Sequence, residues 1–223
     1  MTSQSLIFLF DVDNTLLDND GVVADLRRYL VEHVGQSISD TYWKHVEALR
    51  ETLGYVDYLG ALQRARDEHP HALELLTVSR FLIEYPFVSK LFPQAVDVLD
   101  HVRQWGLPVI LSDGDVVFQP VKVERAGLSK IVKDHVLIYI HKEKELADVE
   151  RRYPAAHYVL IDDKLRILDA VKAQWGSRVT TVHVRQGHYN TEKSGPYATP
   201  DVSVNQIQDI LAHGKDSFAK SAG

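Results

Sequence analysis

Two hydrophobic periods alternate along this chain. Continuous apolar runs at Leu6–Phe10, Pro108–Leu111, His135–Ile140, Tyr158–Ile161 and Val179–Val184 are bounded by polar residues and predict five buried strands. From Gly21 to about Tyr85 the strand signal disappears and a helical period replaces it. Val23, Leu26, Leu30 and Val34 share one helical face that ends at Gly35. Tyr42, Val46, Leu49 and Leu53 repeat the pattern, with Ser39 as candidate N-cap and Gly54 as stop. Tyr58, Leu62 and Ala65 predict a third helix before His69-Pro70, and Leu73 to Ile83 a fourth. Amphipathic helices inserted between two strands need a small bundle of their own. Ala95, Val98, Leu99 and Val102 form a further helical face ending near Gly106, after which strands and helices alternate. That alternation predicts an α/β fold whose parallel sheet is covered on both faces. The tail after His213, rich in Lys, Ser, Gly and Ala, is expected to fray.

Polar groups appear where the predicted strands end, and ligands of open α/β sheets bind at those carboxyl ends. The first strand delivers Asp11 and Asp13. Two like charges there are unfavourable unless a cation, a proton or a reaction requires them. The spacing alone carries little, because Asp18/Asp20 and Asp113/Asp115 repeat it, and an Asx-type turn is the competing reading. The context separates the first pair: a strand precedes it, and Thr15 and the Leu16-Leu17 pair follow. The second strand ends in Ser112-Asp113-Gly114, the third in His141-Lys142-Glu143-Lys144 and the fourth in Asp162-Asp163. Acid pair, hydroxyl, lysine and acid pair thus arrive in order.

From Leu6 to about His188 these residues resemble the four signature motifs of the haloacid dehalogenase-like (HAD) superfamily of phosphohydrolases. The resemblance implies a Rossmann-like parallel-sheet core, residues 1–17 and 89–223, with a small α-helical cap domain, residues 18–88. Hinges would then lie near Leu17–Asp20 and Pro86–Leu91. It further implies that Asp11 attacks phosphorus to give an aspartyl-phosphate, while Asp13 protonates the leaving oxygen and then activates water. Mg2+ is the implied cofactor, held by the Asp11 carboxylate, the Asp13 carbonyl and Asp162, with Asp163 an outer or exchangeable ligand. Ser112 and the amides of Asp113 and Gly114 would bind a phosphoryl oxygen. A lysine would neutralise the phosphate; Lys142, directly after its strand, is preferred over Lys144.

Two positions depart from the family pattern. Ile167 and Leu168 stand where a further acid is frequent, and Asp113 stands where an amide residue is frequent. Asp13 favours phosphate-ester hydrolysis over dehalogenation, since a halide leaves without a proton. A phosphomutase shares that residue, and a non-catalytic binding protein on the same scaffold is the alternative outside enzymes. A receiver domain of a signalling relay uses similar groups, but its acceptor Asp follows a later strand and it carries no cap.

Composition narrows the partners. Among 223 residues the net charge is −6, with no basic footprint for nucleic acid. The absence of cysteine excludes disulfides and thiol catalysis. The first apolar run is too short to span a membrane and no basic segment precedes it, so the expectation is a cytoplasmic protein acting on a small phosphorylated substrate. Oligomeric state is not legible. The 11 histidines show no ligand spacing, although His188 and Tyr189 fall at the sheet edge that carries the motifs. Arg64, Arg66, Tyr55 and Tyr58 are candidate readers of substrate or else a solvated helix face.

Overall fold

The structure is a computed structural model and describes residues 4–190 and 195–218. Six strands, β1 (Gln4–Phe10), β2 (Leu107–Asp113), β3 (Val136–Tyr139), β4 (Ala155–Asp162), β5 (Val179–Val184) and β6 (Val202–Val204), form one sheet in the order β3-β2-β1-β4-β5-β6. Every pairing is parallel. The apolar runs read as they do because both faces of the sheet are covered. Side chains alternate along a strand, so Leu6, Phe8 and Phe10 enter one core while Ile7 and Leu9 enter the other.

Helices α1 (Asn19–Val34), α2 (Gln36–Leu53), α3 (Tyr58–Glu68) and α4 (Leu75–Glu84) lie between β1 and β2. They pack α1 on α2, α2 on α3, and α4 against both α1 and α3. The structure corrects one of their details. Ser39 is not an N-cap: α2 starts directly after Gly35, at φ 80°, and Ser39 is buried within the helix. The α1 stripe also takes in Val22: Val22, Leu26 and Leu30 are buried, Val23 and Val34 are half-buried against the same core, and Asp18 caps the helix by accepting from the Gly21 amide at 2.9 Å.

Helix α5 (Ala95–Val102) precedes β2, and α6 (Phe118–Arg125), α7 (Leu128–Ile131), α8 (Leu146–Arg152) and α9 (Leu165–Trp175) follow it. Phe118, at the start of α6, meets Tyr58 and Phe87 edge-on, so the inserted helices and the sheet share one apolar cluster.

The C-terminal segment departs from expectation. Phe218 is buried against Phe8 and Trp105, and its carbonyl accepts from the Thr180 hydroxyl at 2.9 Å. An aromatic anchor therefore holds the chain as far as residue 218; positions 219–223 lie outside the described residues.

Candidate active site

Register brings the acidic groups together. Phe10 pairs with Ile110 on one side and Ile161 on the other, so Asp11 and Asp162 leave the sheet side by side. The chain after Asp11 turns sharply: the amides of Thr15, Leu16 and Leu17 all point to the Val12 carbonyl, and Asn14 takes a left-handed φ of 59°. Gln186 braces this turn, donating to the carbonyls of Asn14 and Thr15 at 3.3 and 3.2 Å while accepting from the Ile207 amide.

Asp11 is buried, and the Lys142 ammonium lies 2.5 Å from it and 2.7 Å from Asp162. Burial alone would lower the lysine's pKa, but the charges of Asp11 and then Asp162 outweigh it and hold the value above the ordinary range. Lys144 is exposed on the following turn. Asp113 turns its carboxylate onto the Lys142 amide at 2.8 Å, so this departure from the family pattern fastens the lysine's loop. The Gly114 amide donates to Tyr139 at 2.9 Å, continuing the parallel ladder, and is therefore engaged within the sheet rather than directed at an anion. The Ser112 hydroxyl is set by Gln119, which donates to it at 2.8 Å.

Asp162 and Asp163 behave differently. Asp162 accepts from the Lys164 amide at 2.8 Å, whereas neither carboxylate oxygen of buried Asp163 has a hydrogen-bond partner among the described residues. Burial, with Lys164 opposing and Asp162 and Asp11 adding to it, pushes Asp163 up to about 9. Asp11, Asp162 and Asp163 each place a carboxylate oxygen within 4.8 Å of the others. An all-oxygen acidic cluster with an unpartnered buried carboxylate suits a hard divalent cation such as Mg2+. The Asp13 carboxylate does not join this cluster; it faces Lys122.

Residues 6–184 match the family described as haloacid dehalogenase-like hydrolase. The chain belongs to the haloacid dehalogenase-like hydrolases. A crystal structure of a haloacid dehalogenase-like hydrolase from Burkholderia xenovorans is similar to it at 52% identity and a TM-score of 0.90, covering 94% of this chain and 99% of that one. The magnesium-bound HAD hydrolase YfnB from Bacillus subtilis shares the fold at 19% identity and TM-score 0.66, over 94% and 98% of the two chains. An L-2-haloacid dehalogenase from Xanthobacter autotrophicus with chloropropionic acid covalently bound does so at 18% and 0.60, over 92% and 96%. No curated protein matches the chain. Among the described residues no helix is long and apolar enough to cross a membrane.

In this HAD hydrolase a cavity of about 720 Å³ opens above the acids, bounded by the motif loops and by α1, α2 and α3. Tyr55, Tyr58, His188 and Tyr189 line it, while Arg64 and Arg66 do not. Arg27 and Arg50 take the place foreseen for those two arginines. Sequence reasoning also missed Lys164 and Lys122, which reach the cavity from the fourth motif and from α6. The α6 pattern held a signal: Phe118, Gln119, Lys122 and Val123 form its buried face, which places a lysine on an otherwise inward stripe.

Proposed function

We propose that this HAD hydrolase is a magnesium-dependent phosphatase for a small phosphorylated metabolite, working through an aspartyl-phosphate on Asp11. The observation that carries the reading is the unpartnered Asp163 carboxylate beside Asp11 and Asp162. Displacement of a halide by a carboxylate has no need of a cation, whereas a phosphoryl group bringing its own negative charge to three acids does. Asp11, Asp162 and Asp163 would hold Mg2+, which supplies charge neutralisation for the transferring group when bound.

The chain's own groups account for the bond changes. An Asp11 oxygen forms the new bond to phosphorus as the ester P–O bond breaks, and Asp13 gives its proton to the departing oxygen. Water then attacks the aspartyl-phosphate, its proton passes to Asp13, and inorganic phosphate leaves with Asp11 restored. Lys142, held against Asp11, and Ser112 would meet the equatorial oxygens of the transferring group, with the lysine charged throughout. Residues 18–88 act as the cap over a core made of 1–17 and 89–223. In support, Gly54 approaches the His141 ring so closely that a Cβ would stand 2.8 Å from it.

Turnover of p-nitrophenyl phosphate with and without Mg2+, beside 2-chloropropionate as the dehalogenation arm, tests the reading. Phosphate release that needs Mg2+ and is lost in Asp11→Asn is the expected result. Halide release without phosphate release would overturn it.

A further inference from the structure

Lys122 is 1% exposed, and none of the roles above uses it. Its ammonium lies 2.7 and 2.9 Å from the two oxygens of Asp13 and 3.0 Å from the side-chain oxygen of Asn19. Its open flank faces the Phe118 ring, 5.2 Å from the centroid. A buried ammonium is costly unless paired, and here the pairing is spent wholly on the acid/base candidate and on the first residue of α1. Tyr58 closes the same spot from α3, beside both Asp13 and Asn19.

The placement has a chemical reason. Asp13 stands two residues from Asp11, and the buried Asp162 and Asp163 carboxylates belong to that same cluster. A carboxylate free to rotate there could turn toward a cation held by that trio. Lys122 draws it instead toward the cavity wall on which a leaving group would sit.

We propose that Lys122 is a positioning residue for Asp13, holding the acid toward the leaving group, and that Asn19 ties this alignment to the seating of α1. The inference rests on the phosphatase reading above. It predicts a dependence on leaving group, because a nitrophenolate departs without a proton and an alkoxide does not.

The experiment compares wild type, Asp13→Asn, Lys122→Met, Lys122→Arg and the Asp13→Asn/Lys122→Met double variant, all with Mg2+, on p-nitrophenyl phosphate and on glycerol 2-phosphate. Lys122→Met should lower kcat/KM, which reports the step that expels the leaving group, at least about 10-fold more on the alkyl ester than on the aryl ester, and Lys122→Arg should recover part of that loss. In the Asp13→Asn background the lysine change should add little, the mark of two residues acting as a unit. Equal losses on both esters, or full additivity with Asp13→Asn, would overturn the proposal. Should Lys122→Met melt below the assay temperature, Asn19→Ala and Lys122→Arg decide by the same ratio of esters, and a flat ratio in both overturns it. A wild type inactive on both esters sinks the phosphatase reading itself, a result distinct from an active wild type with a flat Lys122 response.

Discussion

Lys142 reaches Asp11 across the sheet, from the turn after β3 to the end of β1, and the contact is closed to water on both sides. Removing the ammonium leaves Asp11 and Asp162 facing each other without a protein cation between them. Lys142→Ala should therefore lower turnover of an aryl phosphate by ~10²–10³, the scale for losing one preorganised electrostatic group. It should also destabilise the fold by about 3–5 kcal/mol, as expected when a buried ion pair loses one member. Exposed Lys144, changed to alanine, should leave both quantities near wild type. Turnover and thermal melting of the two variants check this, and the opposite ranking would transfer the role to Lys144.

Asp163 makes the metal-free fold sensitive to alkali. Its value rises from 3.8 to about 9 on folding, so between those limits the folded chain binds the proton more tightly than the unfolded one. Stability contributed by that proton is present at low pH and is lost as pH climbs through the window. Asp162, also raised chiefly by burial, acts in the same direction. His183, lowered by burial, opposes them only up to its ordinary 6.5. Thermal melts in EDTA should fall toward the alkaline end relative to Asp163→Asn, whose curve lacks the Asp163 contribution. Added Mg2+ should raise the melting temperature most at that same end, because the ion needs the ionised carboxylate. A Mg2+ response of equal size at acid and alkaline pH would contradict this linkage.

The legible parts of the fold were those in which burial dictates residue type on both faces. β5 could be read to the residue, Val179–Val184, because every position in it is buried. β6 could not, since three edge residues, Val202–Val204, carry too short a period. The acids, Ser112 and Lys142 were legible because strand ends announce themselves. Lys122 was not, because a lysine inside a short helix is ordinarily solvated and its partners, Asp13 and Asn19, lie more than 100 positions away. Phe218 was hidden for a related reason: a polar tail reads as loose until the site for its one aromatic, between Phe8 and Trp105, is known.

Gln186 couples the tail end of the sheet to the turn that follows Asp11. Its amide nitrogen serves two carbonyls of that turn and its oxygen takes the Ile207 amide, all within a buried environment. Gln186→Ala strands those backbone groups and should cost about 1–3 kcal/mol in urea unfolding. Turnover should fall with it, since Thr15, whose hydroxyl lies 3.4 Å from Asp11, loses its brace. A variant as stable as wild type would show that water replaces the amide without loss.

Arg27 and Arg50 place two cations on the α1–α2 side of the cavity, from helices that pack against each other. Arg27 has no carboxylate partner among the described residues; its guanidinium lies 3.8 Å from the centroid of the Trp43 ring. Arg50 meets Glu47 only at 3.4 Å, in an exposed pair of small energetic value. Cations so lightly engaged remain available to a second anionic group on the substrate, such as a carboxylate remote from the phosphoryl group. A charge-assisted hydrogen bond of that kind contributes about 1.5–3 kcal/mol, or roughly 10–150-fold in affinity. Arg27→Ala and Arg50→Ala should accordingly raise KM for a phosphorylated hydroxy acid such as 3-phosphoglycerate by about 10-fold or more. They should leave p-nitrophenyl phosphate, which has no second anion, within about twofold, and Arg64→Ala should change neither. Losses of equal size on both substrates would mean that the two arginines support the packing of α1 on α2 rather than read the substrate.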